Sequence, residues 1–339
     1  MTQVVCTWVP SPKHRYLDHP ERPERLRGLE RWRQETTLSL VWLPVTPATE
    51  EDVYRVHHPR MWERLQSECA TGPRVIDYAP TYVTPSSCRD ALHAAGGVLT
   101  ALRAILEGQA RRGFAIVRPP GHHATRTVSM GFCLLNNVAI GAAYALAQGL
   151  ERVAIVDFDA HHGNGTEAIF VDEERVGFLS LHQWGIYPGT GDLEDHPHAR
   201  GRIVNVPLEA FTGDQGYARL FGEVVVPWLE RWQPQLLLVS AGFDAHWQDP
   251  LTQLGLSAGG FARLARYLVQ AADALGARGA LFVLEGGYHP PAVAASIQAV
   301  LHALAEADLP QEAGQYPSPY PEPDVTDLAH RVRTLHGLS

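Results

Sequence analysis

Apolar, β-branched runs recur along the chain, and each stops at a polar or glycine-rich stretch: QVVCTWV, GFAIVRP, RVAIVDFD, VGFLSLH, RIVNVPL, PQLLLVSAG and GALFVLEGG. Such near-continuous hydrophobicity is expected of strands covered on both faces, as in a parallel sheet. Between them the apolar positions switch to helical spacing. From Arg89 to Glu107 they fall at Leu92, Ala95, Val98, Leu99, Leu102, Ile105 and Leu106, opened by Ser86 or Ser87 and closed by Gly108. Leu134 to Gln148, Gly216 to Trp232, Ser257 to Leu275 and Pro291 to Ala305 read similarly, with a kink expected at Pro227. The alternation of strand and helix predicts an α/β fold, one doubly wound domain spanning residues 1–309. Residues 310–339 open on the Pro-rich PQEAGQYPSPYPEPDV and are expected to pack on that domain as an extended strap ahead of a short terminal helix.

Composition narrows the classes. With 339 residues and 45% apolar content the chain can bury a large core. The opening MTQVVCTWVP lacks a basic region followed by an apolar run, and no apolar stretch approaches about 18 residues, so a cytoplasmic protein without membrane insertion is expected. Cys6, Cys69, Cys88 and Cys133 lack close spacing, which reads as four small hydrophobes in a reducing compartment. A net charge of -9 with no basic block removes the electrostatic footprint of direct nucleic-acid binding.

Ligands of open parallel sheets sit beyond the carboxyl ends of the strands, so the chemistry is sought where each apolar run stops. Six of the 17 histidines fall there: His122, His123, His161, His162, His182 and His246. Asp157, Asp159, Asp244 and Tyr288 join them. Strand alternation places Asp157, Asp159 and His161 on one face and turns His162 away. Asp244, ending another strand, can reach the same point. Two carboxylates and one imidazole can hold one divalent ion and leave a position open for water; Zn²⁺ is the default, and Fe²⁺, Mn²⁺ or Co²⁺ fit such hard ligands too. The tandem histidines of RPPGHHA supply imidazoles that titrate near neutral pH, as general acid/base catalysis needs. In LEGGYH two glycines let the backbone bend and aim Tyr288 inward, where its hydroxyl can donate to a developing oxyanion.

With HPERPERL, RPPGHHA, GFCLLNN, DFDAHHGNGT, YPGTG, SAGFDAH, DPL and LEGGY in this order, the chain resembles the histone deacetylase family from about His19 to Ala305. It is most similar to the class II-like bacterial members, which include acetylpolyamine amidohydrolases and acetoin-utilisation-type proteins. The resemblance implies the arginase/deacetylase fold, a single three-layer α/β/α domain. It implies Zn²⁺ on Asp159, His161 and Asp244, with Fe²⁺ as the alternative in the cell. A structural K⁺ is implied on oxygens of Asp157, Asp159, His161, Ser180 and Leu181. It also implies proton transfer by His122, backed by Asp157, and His123, facing Asn164. An imidazole beside a neutral amide can stay neutral, so His123 is the principal base and His122 mainly electrostatic. The resemblance further implies that Tyr288 polarises the amide carbonyl and that Gly131, Phe132 and Tyr187 wall an acyl channel. The implied activity is metal-dependent removal of acetyl or other short acyl groups from acylated amines.

Two departures bear on substrate. Tyr187 stands where many relatives have Phe, so the channel rim is expected to carry an extra hydroxyl. Leu251 stands where polyamine-selective relatives place an acid, and without that carboxylate a second ammonium gains no partner. Acyl-lysine in proteins or peptides is therefore favoured over small acetylated amines. A two-manganese ureohydrolase would need a second bridging carboxylate where this chain has His246. A non-catalytic acyl-lysine binder is opposed by the survival of every catalytic side chain, and a homo-oligomer has no sequence signature beyond composition.

Overall fold

Each apolar run becomes a strand. The computed structural model describes residues 3–310 and 317–338. Its strands in chain order are β1 (Val4–Val9), β2 (Leu40–Trp42), β3 (Arg74–Val75), β4 (Tyr82–Val83), β5 (Arg112–Val117), β6 (Val153–Asp157), β7 (Val176–Gln183), β8 (Ile203–Leu208), β9 (Leu236–Ala241) and β10 (Ala280–Leu284). Eight of them pair in the order β2-β1-β5-β10-β9-β6-β7-β8, and every pairing is parallel. The short β3 and β4 form a separate antiparallel ribbon.

The sheet is covered on both faces, which is why its strands read as continuous apolar runs. Cys6, Phe114, Val156, Val239 and Phe282 point into one core with helices Ala258–Ala274 and Pro290–Leu304. Val5, Ala115, Ile155, Leu238 and Val283 point into the other with helices Ser87–Leu106 and Asn137–Ala147. The doubly wound, three-layer α/β/α architecture is the expected one.

Local chemistry sets the helix starts. The Asn136 side chain accepts the Ala139 N–H at 3.0 Å, so that helix begins at Asn137, after its apolar pattern starts at Leu134. Ser257 caps Gly260 in the same way. The stretch expected to kink at Pro227 runs as Asp214–Leu220 and Val226–Trp232 joined by a π-helical turn, Phe221–Val225. Proline has no amide hydrogen to continue the ladder, and the widened turn absorbs the misfit.

The terminal helix spans Thr326–His336, and Ala329 and Val332 enter the first core. Ahead of it the Glu322 carboxylate accepts the N–H groups of Gly213, Gln215 and Gly216 at 2.8–3.1 Å, where a negative charge favours the start of the Asp214–Leu220 helix. Residues 311–316 of the expected strap lie outside the described residues. No helix among the described residues is long and apolar enough to cross a membrane.

One expectation is corrected. Cys69 and Cys88 are joined in a disulfide between helix Pro59–Thr71 and the first turn of Ser87–Leu106. The intervening β3–β4 ribbon folds the chain back on itself, so residues distant in sequence meet. Cys6 and Cys133 are free and buried, as expected of small hydrophobes.

Candidate active site

The four central strands of the sheet, β5, β10, β9 and β6, are adjacent, and their carboxyl ends deliver His122 and His123, Tyr288, Asp244, and Asp157 to His161 to one place. Strand alternation is not what aims the last group, because β6 ends at Asp157. Side-chain bonds to the backbone aim it instead. Asp157 Oδ1 accepts the Asp159 N–H at 3.0 Å, and Asp159 Oδ1 accepts the His161 N–H at 2.9 Å. Asp244 Oδ1 accepts the Ala160 N–H at 2.8 Å, and Asp159 Oδ2 accepts that of Gly286 at 2.7 Å. Gly242 and Gly286 leave room for these carboxylates; a Cβ at either position would strike them.

The result is a cluster in which one donor atom each of Asp159, His161 and Asp244 lies within 4.8 Å of the others. His161 Nδ1 is 3.2 Å from Asp159 Oδ1 and 3.0 Å from Asp244 Oδ2, and both carboxylates are fully buried. Burial and the charge on Asp159 push the Asp244 carboxyl up from its ordinary range. Burial also opposes ionisation of Asp159, but His122 and His161 outweigh it and hold that carboxyl down. For His161, bonds to both carboxylates overcome burial and push its pKa up to about 10. Two buried carboxylates around one nitrogen demand a cation, and this compact set of hard donors, open toward a channel, fits a divalent metal ion.

The tandem histidines differ in what stands behind them. His122 Nδ1 lies 3.0 Å from Asp157 Oδ2; burial works against its charge, but Asp159 and Asp157 prevail and raise its pKa to about 10. His123 Nδ1 lies 2.7 Å from Asn164 Oδ1, an acceptor, so that nitrogen carries the proton and Nε2 keeps its lone pair. Burial, then the neighbouring His122 and His161, depress the His123 pKa well below the ordinary imidazole value.

Above the cluster opens a cavity of about 240 Å³, walled by Gly131, Phe132, Tyr187, Leu251 and Tyr288, with His123 and His161 at its floor. Gly131 and Phe132 both have left-handed backbone, φ 57° and 67°. A Cβ at 131 would run into the His123 ring, so glycine is required there. Leu251 is 41% exposed at the mouth. The Tyr187 hydroxyl is buried inside the wall without a hydrogen-bond partner, so the rim does not present the extra hydroxyl expected of it.

Several residues that hold this site had no separate role in the sequence. Asp77 Oδ2 accepts the Gly131 N–H and the Thr81 hydroxyl at 3.2 and 2.7 Å, and Thr81 Oγ1 accepts the Phe132 N–H. Glu285 Oε2 accepts the N–H groups of Gly121 and His122 at 2.6 and 3.1 Å, fixing the turn that carries the histidine pair. Arg25 lies 4.8 Å over the Tyr288 ring and donates to the Gly287 carbonyl at 2.6 Å. Asp249 Oδ2 accepts the Tyr288 N–H at 2.6 Å. Their signal was a charged residue inside an apolar stretch or beside a glycine turn, too common to stand out.

Of the residues expected around a monovalent cation, Ser180 pairs with Asp157 across β6 and β7, Leu181 follows it, and the Ser180 hydroxyl bonds His182 Nδ1 at 2.9 Å. Three strand-end histidines stay outside the cluster. His162 meets Thr190 and Glu167, His182 bonds the Gly191 carbonyl, and His246 accepts from the Gln248 N–H.

A family profile described as "Histone deacetylase domain" matches residues 19–304. The chain is 41% identical over 276 residues to a probable deacetylase of Archaeoglobus fulgidus, covering 80% of this chain and 76% of the relative. It is 37% identical over 295 residues to the histone deacetylase-like amidohydrolase of Pseudomonas aeruginosa, covering 85% and 77%. The crystal structure of the HDA15 HD domain superposes with a TM-score of 0.88 at 30% identity, covering 99% of this chain and 94% of that one.

Proposed function

Because this chain belongs to the histone deacetylase family and is a deacetylase of the hydrolase class, we propose that it is a zinc-dependent amidohydrolase that removes acetyl or other short acyl groups from acyl-lysine in proteins or peptides. The observation that carries the reading is the Asp159, His161 and Asp244 cluster at the floor of an apolar channel, beside a histidine whose Nε2 keeps its lone pair. Asp159, His161 and Asp244 would hold Zn²⁺, with Fe²⁺ as the alternative. A bound divalent ion polarises the acyl carbonyl and lowers the pKa of water in the site. A K⁺ on Asp157, Asp159, His161, Ser180 and Leu181 belongs to the same proposal.

The chain's own groups then divide the work. Phe132, Tyr187 and Leu251 sheathe the substrate's apolar stem and keep bulk water out. His123 Nε2 takes a proton from a water molecule as its oxygen bonds to the acyl carbon. His122, charged and held by Asp157, keeps that water and the growing negative charge in a positive field. The Tyr288 hydroxyl, which has no hydrogen-bond partner among the described residues, donates to the carbonyl oxygen. The C–N bond breaks, His123 returns its proton to the leaving nitrogen, and the products are a free amine and a carboxylate.

The mouth supports acyl-lysine over acylated polyamines. Leu251 lines the channel, is 41% exposed at its mouth and carries no charge. A second ammonium would therefore find no free counter-charge at Leu251. Purified, Zn²⁺-loaded protein should show higher kcat/KM on acetyl-lysine peptides than on N-acetylated polyamines at matched concentrations. A polyamine preference would overturn the substrate assignment, and inactivity on both together with absence of bound metal would overturn the enzyme reading.

A further inference from the structure

Tyr288 follows two glycines, and Gly287 has φ 114°, a conformation that only glycine adopts at low cost. Such a turn does not by itself fix where the next side chain points. Two clamps restrain it. Arg25 holds the Gly287 carbonyl from below, and Asp249 takes the Tyr288 N–H at 2.6 Å through Oδ2.

Asp249 is well placed to act as a fixed post. It is 7% exposed and sits in the loop after β9, where its own N–H bonds the His246 carbonyl at 2.8 Å and the Trp247 N–H bonds the Leu256 carbonyl at 3.0 Å. Its second oxygen, Oδ1, accepts the Leu251 N–H at 3.0 Å. One carboxylate thus joins the backbone under the proposed carbonyl-polarising hydroxyl to the backbone of the channel mouth. The same loop carries Asp244, so the post is referenced to the metal cluster as well.

We propose that Asp249 is a positioning residue for the reaction: it holds Tyr288 at the distance from the Asp159, His161 and Asp244 cluster at which its hydroxyl meets the substrate carbonyl. The inference rests on the reading of Tyr288 as the carbonyl-polarising group. Losing both bonds frees the Gly286–Gly287 turn, and displacement of a catalytic group by about 1 Å costs on the order of 100-fold in rate. Asp249→Ala should therefore lower kcat roughly 10- to 100-fold, the larger change falling on kcat rather than KM.

The test is a double-mutant cycle of Asp249→Ala and Tyr288→Phe on an acetyl-lysine peptide, with bound metal measured on each protein. If Asp249 acts through Tyr288, the double variant is as slow as Tyr288→Phe alone, within about threefold, and metal content is unchanged throughout. A double variant slowed by the product of the two single effects, or an Asp249→Ala protein that loses its metal or keeps parental kcat, overturns the inference. Asp249→Asn, which keeps the shape and one acceptor, covers the case in which the alanine variant does not fold; it should show the same non-additivity with a smaller loss. Near-normal turnover in Tyr288→Phe would remove the Tyr288 role and this inference with it, whereas a slow Tyr288→Phe with multiplicative losses would overturn the Asp249 role alone.

Discussion

Glu21 gives a prediction whose size follows directly from its surroundings. The residue is 0% exposed, and so is Arg118, whose Nε and Nη2 reach the two carboxylate oxygens at 2.6 and 2.8 Å. Arg25 Nη1 adds a third bond at 3.1 Å and the Tyr82 hydroxyl a fourth at 3.2 Å. Burial works against the carboxylate's charge, yet Arg118, His14 and Arg25 outweigh it and hold Glu21 well below the usual carboxylate range. Glu21→Gln keeps the shape but leaves two guanidinium groups in the interior without their counter-charge. Breaking a buried pair from one side costs about 3–5 kcal/mol, mostly from the charge left behind. Urea unfolding followed by tryptophan fluorescence should show that loss in Glu21→Gln, and adding Arg118→Met should recover at least about 1 kcal/mol of it. The depressed pKa also fixes the pH dependence. The contribution of Glu21 is complete above the unfolded carboxylate pKa, near 4.5, and is lost as pH falls below it toward the folded value. Parent and variant should therefore converge in strong acid. A Glu21→Gln protein within about 1 kcal/mol of the parent at pH 7, or a double variant worse than the single, would refute the reasoning.

Other consequences can be tested singly. Tyr288→Phe should lower kcat by about two to three orders of magnitude with little change in KM, the usual loss for one oxyanion donor; turnover within a factor of a few of the parent would remove it from that role. Asp159→Ala or His161→Ala should abolish both bound metal, read by elemental analysis, and activity, so an active, metal-free variant would sink the ligand assignment. His57 is buried as the neutral imidazole, donating from Nδ1 to the Thr125 carbonyl and accepting the Asn136 N–H on Nε2, and burial lowers its pKa from 6.5 to about 4. Its stabilisation is complete above pH 6.5 and falls by about 3 kcal/mol as pH drops toward 4, so His57→Gln should flatten unfolding free energy over that window; an unchanged slope would contradict it.

How much of this was readable in the chain depends on whether a signal was local. The seven apolar runs are strands because burial on both faces leaves few positions for a polar residue, and the site follows from asking where each run stops. The histidine pair and the Asp159, His161 and Asp244 set were legible because their density is unusual for a core. The aiming of Asp159 and His161 was misjudged: alternation stops with β6, and carboxylate-to-amide bonds take over. The edge strand Leu40–Trp42 went unread because it is three half-buried residues long, with no pattern to detect. The ribbon that carries Asp77 is shorter still, two residues a strand, and its contacts with the channel wall, at Gly131 and Phe132, lie 54 and 51 positions away from Asp77 and Thr81. The Cys69–Cys88 pairing, the Glu21 network and Asp249 share that difficulty. Each is a contact between distant segments whose members look ordinary alone.

The sheet order has a consequence for how the protein comes into being. β9 and β10, the last two strands to be synthesised, lie between β5 and β6 in the middle of the sheet. Without them β5 and β6 have no partner on their inner edges, and an unpaired strand edge is the kind of exposed template that invites association with other chains. Asp244 and Tyr288 arrive with those same strands. The site is therefore complete only when β9 and β10 occupy the middle of the sheet, so sealing the sheet and finishing the site are the same requirement.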